Sequence, residues 1–150
     1  MNYKYLSRSD NDTITLAENI ESEKFPNMVI VLNGELGSGK TLFTGAFAKA
    51  MEVEETISSP TFNIIKEYHS GELPLYHIDV YRLDGNVKGF DLNEYYNNGG
   101  VTIIEWGDTI TDYLPSEYLE IIFNVASENK RLIYLRPHGS QYEEICEAVI

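Results

Sequence analysis

One short segment constrains this chain more than any other feature. Residues 34–41 have the sequence GELGSGKT, which fits the pattern G-x-x-x-x-G-K-[ST] at every defined position. The segment follows an uninterrupted apolar run from Met28 to Leu32, which is typical of a strand buried on both faces of a parallel sheet. It precedes a helical pattern that extends from Lys40 to about Met51. A strand, this glycine-rich turn and a helix, in that order, predict a phosphate-binding loop.

The residue types in this loop suit the chemistry of a nucleoside triphosphate. Glycines allow the backbone to curl so that its N–H groups face phosphate oxygens, and the positive end of the helix dipole points at the same anion. The Lys40 ammonium would reach the β- and γ-phosphates, and the Thr41 hydroxyl would bind Mg²⁺. A glycine-rich turn that only caps a helix is disfavoured by the complete motif and its setting. The predicted nucleotide-binding residues are Gly34, Glu35, Leu36, Gly37, Ser38, Gly39, Lys40, Thr41 and Leu42.

Such a loop needs a carboxylate at the end of a neighbouring strand, where it holds Mg²⁺ or the waters bound to it. Glu105 ends the apolar run 101–104, so we predict that it is the carboxylate on the Mg²⁺ side. Asp79 alternates with His77 on one face of a predicted strand and is a candidate for positioning the attacking water. The motif leaves open which of the two acids orients that water, and a surface carboxylate at a strand end is the alternative for each.

Residues 59–62, with the sequence SPTF, lie between the predicted loop helix and the next predicted strand. Nucleotide-dependent switches commonly place a hydroxyl that senses the γ-phosphate at this point, and Pro60 would hold Ser59 in an extended conformation. An ordinary proline-containing loop explains these four residues equally well.

Composition excludes several classes of protein. The chain of 150 residues has 11 Lys and Arg against 24 Asp and Glu, a net charge of −13, so autonomous binding to nucleic acid is disfavoured by repulsion from the phosphate backbone. Cys146 is the only cysteine, which excludes an internal disulfide and a cysteine-based zinc site. Neither a signal peptide nor an apolar run long enough to span a membrane is present. We therefore expect one cytoplasmic domain over residues 1–150.

Periodicity along the chain predicts an α/β fold with a mixed central sheet, mostly parallel at its centre and flanked by helices, as in P-loop NTPases. A capping pattern begins with Ser9, and the helix that follows should extend to about Lys24, before Pro26. The predicted inner stripe of the loop helix is Leu42, Phe43, Ala46, Phe47 and Ala50. Further predicted elements are a hairpin of strands 62–68 and 75–81, a short helix near 94–97, strands 101–104, 119–125 and 132–135, and a C-terminal helix carrying Tyr142, Ile145, Cys146 and Val149.

Trp106 and the three histidines can each be explained by a structural role. Trp106 follows Glu105 and should point to the opposite face of the sheet, where packing is about as probable a role as contact with a nucleotide or a partner protein. The three histidines have no metal-ligand spacing, so core or surface roles are favoured for them. Their positions are His69, His77 and His138.

Four segments in this order and at this spacing resemble one family. GELGSGKT, SPTF, LYHIDVYRL and VTIIEWGD are similar to segments of the TsaE (YjeE) family, the bacterial ATPases of tRNA threonylcarbamoyladenosine biosynthesis. The resemblance covers nearly the whole chain and implies a P-loop ATPase, weak by itself, that binds and hydrolyses Mg-ATP in complex with the partner proteins TsaD and TsaB. It further implies that the protein is required to form the threonylcarbamoyl group on the adenosine 3′ of the anticodon in ANN-decoding tRNAs. In that expectation tRNA is contacted indirectly, through the complex, and no membrane is involved.

The same resemblance implies roles for individual residues. Lys40 and Thr41 would hold phosphate and Mg²⁺, and Glu105 would be the second residue on the Mg²⁺ side. Thr61 would belong to the first switch and Asp79 to the catalytic acidic pair. The resemblance adds Asp10, near the adenine, and Arg131, near the nucleotide, to the predicted ATP-binding residues.

Two other functions compete with this interpretation. A small-molecule kinase would suit the size and the loop, but such enzymes usually stabilise the transferred phosphoryl group with several arginines, and this chain has only four. A non-catalytic adaptor, in which ATP only sets the affinity for a partner, would show no basal hydrolysis. A GTPase fits less well, because the segment 129–132 (NKRL) lacks the aspartate of a guanine-reading N-K-x-D motif.

Overall fold

The computed structural model describes residues 2–35, 37–58, 64–83, 86–87 and 89–150, with the backbone alone at Arg82. Within these residues, seven strands form one sheet: β1 Tyr3–Ser7, β2 Met28–Gly34, β3 Ile65–Tyr68, β4 Leu75–Asp79, β5 Val101–Glu105, β6 Tyr118–Val125 and β7 Arg131–His138. The α-helices in the same residues are α1 Asp10–Glu21, α2 Lys40–Ala50, α3 Leu92–Tyr96 and α4 Ser140–Val149.

The sheet has the strand order β1-β7-β6-β2-β5-β4-β3. Strands β6, β2, β5 and β4 run parallel to one another, whereas β1 and β7 at one side and β3 at the other pair antiparallel. The predicted α/β class, with a mixed sheet that is parallel at its centre and flanked by helices, is confirmed. Strand β1 was not predicted, because its alternating pattern is short and only Ser7 in it is fully buried.

Helices cover both faces of the sheet. On one face, α1, α2 and α4 pack over Met28, Ile30 and Leu32 of β2 and over the inward residues of its neighbours. On the other face, α3 packs over a smaller cluster that includes Val29 and Val31. Strand β2 is therefore buried on both sides, as its uninterrupted apolar sequence predicts.

Local signals placed most elements correctly. The Ser9 side chain caps α1 by accepting a hydrogen bond from the backbone N–H of Asp12, and the β3–β4 hairpin is antiparallel as predicted. Helix α1 ends at Glu21, before the predicted end near Lys24, because a turn with backbone bonds from residues 23 and 24 follows it. In the described part of the chain, no helix combines the length and the apolar character needed to span a membrane.

The predicted inner stripe of α2 is partly wrong. The residues buried against the sheet are Phe43, Thr44, Phe47 and Ala48. Leu42, Ala46 and Ala50 are only half-buried and line a cleft of about 560 Å³ between α1 and α2. The helix is rotated relative to the prediction because Thr44 turns inward, where its hydroxyl donates a hydrogen bond to the carbonyl of Lys40 at 2.9 Å.

Candidate nucleotide-binding site

The glycine-rich loop joins β2 to α2 at the carboxyl end of the parallel strands. Gly34, Gly37 and Gly39 have φ values of 148°, 78° and 113°, which favour glycine. A Cβ atom at Gly34 would lie 2.6 Å from the carbonyl oxygen of Phe123 and 2.8 Å from the hydroxyl of Ser38. Backbone conformation therefore favours glycine at all three positions, and close packing also requires it at Gly34.

Lys40 is the first residue of α2 and is 5% exposed. Its Nζ donates hydrogen bonds to the backbone carbonyls of Gly34 and of Glu35, the second at 3.3 Å. Burial lowers the pKa of Lys40, while nearby carboxylates, of which Glu105 acts most strongly, oppose that change. The Lys40 side chain is therefore held at the loop by backbone oxygens, and the carboxylates around it favour its charged form against the effect of burial.

Glu105 and Asp79 end two adjacent parallel strands, where they are directly paired in register. Glu105 is 2% exposed, and Asp79 is half-buried. Burial raises the pKa of Asp79, and the Glu105 carboxylate adds to the rise, whereas the Tyr81 N–H donates a 3.0 Å hydrogen bond to Asp79 Oδ1 and opposes it. The two acids lie side by side near Lys40, as expected for carboxyl ends of neighbouring strands.

His77 is a member of this cluster that sequence reasoning assigned to a core or surface role. It is fully buried, and its Nε2 lies 2.6 Å from Oε2 of Glu105. The spacing of His77 and Asp79 places both side chains on one face of β4, the face adjacent to Glu105 in β5. The two-residue spacing of His77 and Asp79 is the sequence signal that places His77 next to the strand-end acids.

Trp106 only partly follows its prediction. It packs partly against the cluster on the opposite face of the sheet, as expected, but its φ of 68° ends the strand alternation. Lys40 Nζ lies 3.8 Å from the centre of the ring, and the ring of Tyr81 is 4.7 Å away. The indole is therefore a wall of the site as well as a packing residue.

The donor set is compatible with a phosphate chain and a divalent cation. The Ser38 hydroxyl is buried and has no hydrogen-bond partner among the described residues. It lies close to Gly34, which has no side chain to block it. Thr41 lies exposed in the first turn of α2. The described residues contain no group of three side chains able to hold a metal by themselves. This set fits Mg²⁺, which commonly takes one or two protein ligands and completes its shell with phosphate and water.

Arg131, predicted near the nucleotide, is directed at the loop backbone. Its Nε donates to the carbonyl of Ser38 at 3.0 Å and its Nη2 to that of Gly37 at 3.4 Å. Its Nη1 donates to three carbonyls of the β6–β7 turn, those of Ser127, Glu128 and Lys130. Arg131 thus connects the turn to the loop, and its hydrogen bonds are made to the protein.

Asp10 is the exposed first residue of α1. It lines a polar cavity of about 350 Å³ with Arg8, Ser9, Asn11 and, from the β6–β7 turn, Asn129. The start of α1 and the turn that Arg131 supports therefore enclose one cavity.

Several predicted residues are outside the described part of the chain. Leu36 of the loop, Thr61 of the predicted switch and the whole SPTF segment at 59–62 fall there. Their predicted roles remain predictions.

Comparison with known proteins identifies the family. The model of the family described as "Threonylcarbamoyl adenosine biosynthesis protein TsaE" matches residues 7–133. A Bacillus subtilis protein named tRNA threonylcarbamoyladenosine biosynthesis protein TsaE is 39% identical over 144 residues, 96% of this chain and 91% of that protein. A Rickettsia felis protein of the same name is 35% identical over 89% of this chain and 79% of its own length.

A solved structure has the same fold. The crystal structure of YdiB from Bacillus subtilis superposes with a TM-score of 0.85 at 36% sequence identity, over 99% of this chain and 94% of that one. Since both the family model and these relatives extend over most of the sequence, the chain belongs to the TsaE family.

Proposed function

We propose that this chain is a single-domain, cytoplasmic, Mg²⁺-dependent ATPase that acts in tRNA threonylcarbamoyladenosine biosynthesis. The relatives' names motivate the pathway. The observation that carries the chemistry is the convergence of Lys40, Glu105 and Asp79 at one end of adjacent parallel strands, beside a loop whose first glycine, Gly34, leaves no room for a side chain.

In this proposal different residues bind the phosphates, hold the cation and orient the attacking water. The loop N–H groups and Lys40 bind the phosphates, and the ammonium exchanges its bonds to the carbonyls of Gly34 and Glu35 for phosphate oxygens. Thr41 and Glu105 would hold the cation, and the cation would supply positive charge against that of the phosphates. Asp79 accepts a hydrogen bond from the attacking water and orients it, because its carboxylate lies beside Glu105 rather than on the loop.

We propose that turnover is slow without partners, which we take to be TsaD and TsaB. Arg131 donates to backbone carbonyls, and Arg136 pairs with Glu120 and Asn2, so neither guanidinium is directed at a transferred phosphoryl group. The placement of these two arginines supports hydrolysis assisted by a partner, because a small-molecule kinase would need several such charges at the transferred group. The net charge of −13 supports contact with tRNA through partners only.

The site assignment is tested with Lys40→Ala and Glu105→Ala. We expect Lys40→Ala to abolish binding of Mg-ATP and Glu105→Ala to abolish hydrolysis chiefly through weakened cation binding, measured by calorimetry and phosphate release. Near-wild-type hydrolysis by either variant would overturn the assignment. Complete absence of hydrolysis in the wild type, even with TsaD and TsaB added, would favour an adaptor in which ATP only sets affinity.

The biological role needs a separate measurement. Deletion of the gene, followed by nucleoside analysis of bulk tRNA, should show loss of threonylcarbamoyladenosine. An undiminished level would reject the tRNA role and leave the ATPase assignment standing.

A further inference from the structure

We propose that His77 is a positioning residue that fixes the orientation of the Glu105 carboxylate for the cation. The inference rests on the proposed function, because it concerns the same site, but it assigns a role to a buried side chain that the proposed function does not use.

The geometry of the pair is specific. His77 Nε2 lies 2.6 Å from Glu105 Oε2, and their side chains are 0% and 3% exposed. His77 pairs in register with Ile103, one rung before the pair formed by Asp79 and Glu105. The hydrogen bond therefore runs diagonally from β4 to β5 and reaches Glu105 from the side of the core.

The direction of the hydrogen bond follows from the partners. A carboxylate oxygen accepts, so Nε2 carries the hydrogen. The other ring nitrogen, Nδ1, is buried with no hydrogen-bond partner in the described part of the chain, and an N–H there would be left unsatisfied. The tautomer with its hydrogen on Nε2 alone therefore fits this pocket, and it engages Oε2 of Glu105 while leaving Oε1 outside the bond.

This bond keeps two opposite charges apart. Lys40 Nζ donates to the carbonyls of Gly34 and Glu35 rather than to Glu105, although Glu105 is the strongest charge acting on it. The terminal torsion of glutamate is broad, so an unheld Glu105 could turn and pair with the ammonium. With His77 in place, the lysine is presented to phosphate and the carboxylate to the cation.

A purely structural role for His77 makes a different prediction. Loss of a buried hydrogen bond would lower stability and leave the response to Mg²⁺ unchanged. A positioning role requires the response to Mg²⁺ to change even in a variant that folds normally, since ligand-orienting partners typically contribute 10–100-fold to metal affinity.

The test uses three substitutions and a matched control in the full chain. His77→Gln keeps an N–H donor near the place of Nε2, His77→Asn ends near Nδ1 and does not reach Glu105, and His77→Leu removes the donor. Thr102→Val is the control, because Thr102 is 1% exposed on β5 and faces the other side of the sheet. Binding of a non-hydrolysable ATP analogue is measured by calorimetry over a series of Mg²⁺ concentrations and in EDTA, and folding by circular dichroism.

We expect the Mg²⁺ concentration at half-maximal enhancement of binding to rise about 10–100-fold in His77→Asn and His77→Leu. It should stay within about threefold of wild type in His77→Gln and Thr102→Val, and analogue affinity in EDTA should be unchanged in these two variants. A wild-type Mg²⁺ response in folded His77→Asn or His77→Leu overturns the proposal, as does a defect in His77→Gln equal to theirs. If His77→Leu does not fold, His77→Asn and His77→Gln decide by the same criteria.

The proposed function fails in a distinguishable way. If wild-type protein binds the analogue neither with Mg²⁺ nor in EDTA, the proposed function is overturned and this proposal with it. If wild-type binding is enhanced by Mg²⁺ and the His77 variants respond as wild type does, only the positioning role is overturned.

Discussion

Side-chain burial differs between two regions of the sheet. In the parallel centre, which we define as β2, β4 and β5, almost every residue is buried, so both faces are covered. The wing is defined as β1, β7 and β6, which pairs antiparallel with β7. Buried and half-buried residues alternate over much of β6 and part of β7, and half-buried and exposed residues alternate in β1, so one face of the wing is less covered than the other. The candidate catalytic groups lie where the parallel centre ends, and the wing contributes the Arg131 support.

The difference shows how burial and chemistry are connected here. A polar side chain at the end of a doubly covered strand is desolvated and has few partners to choose from, so its orientation is well defined. Glu105, with its hydrogen bond to His77, is such a group. On the wing, Glu120 instead lies near both Arg136 and His138, an arrangement partly open to water. The parallel centre can therefore orient a carboxylate, and the wing mainly supports the backbone around it.

The largest effect should come from a cavity in the parallel centre. Ile103 of β5 is fully buried, so Ile103→Ala should lower the free energy of unfolding by about 2–5 kcal/mol, through lost burial and the cavity left behind. Leu132→Ala on the half-buried face of the wing should cost about 1 kcal/mol. Urea denaturation of both variants measures the difference, and equal losses would contradict the contrast between the two regions.

The next largest effect should come from the support that the wing gives to the loop. Arg131→Ala removes hydrogen bonds from a charged donor to five backbone carbonyls, so it should cost about 1–3 kcal/mol of stability. Arg136→Ala, on the same strand but 43% exposed, should cost less than about 1 kcal/mol. Urea denaturation of both variants measures the two losses of stability. A larger loss for Arg136→Ala would show that the loop does not depend on the hydrogen bonds of Arg131.

A smaller effect is expected at the start of α1. Ser9→Ala removes the side-chain acceptor for the Asp12 N–H and should lower stability by about 1 kcal/mol. Ser22→Ala, just beyond the other end of α1, is the matched control, since the Ser22 hydroxyl donates to the carbonyl of Asn19 and caps no helix N–H. We expect a change below about 0.5 kcal/mol for that control. Thermal unfolding measures both, and equal shifts would argue against the cap.

The smallest effect, no reaction at all, is expected at Cys146. This thiol is fully buried on α4 beneath the covered face of the wing, and burial raises its pKa to about 12. Thiolate is the reactive form, so at pH 8 only about one part in ten thousand would be available even if the reagent had access. A disulfide reagent should label the protein in guanidinium chloride and leave the native chain unlabelled. Rapid labelling of native protein would mean that α4 does not cover this face.

Much of the site was predictable because its signals are local. The glycines, Lys40 and the flanking apolar strand form a contiguous motif, and the structure shows the strand, the positive-φ glycines and the helix in that order. Glu105 was chosen from its place at the end of an apolar run, and it ends β5 near Lys40.

The features that sequence analysis did not give have physical causes that no local pattern contains. The proposed role of His77 depends on its hydrogen bond to Glu105, which lies 28 residues away on the neighbouring strand. Arg131 became a support for the loop because residues more than 90 positions apart meet across the sheet. Strand β1 depends on pairing with β7 near the other end of the chain, and the rotation of α2 depends on an inward-facing threonine.

The amino-acid sequence by itself determined the fold class, the glycine-rich loop between strand and helix, and the pair of strand-end acids, because those features follow from periodicity and from residue types at fixed spacing. Tertiary structure decided which partners those residues have. It placed Lys40 on Trp106, Glu105 on His77, and Arg131 on the loop. The physical reason is that each of these contacts joins segments brought together only by strand order and register, and hydrogen bonds of 2.6–3.0 Å depend on that placement.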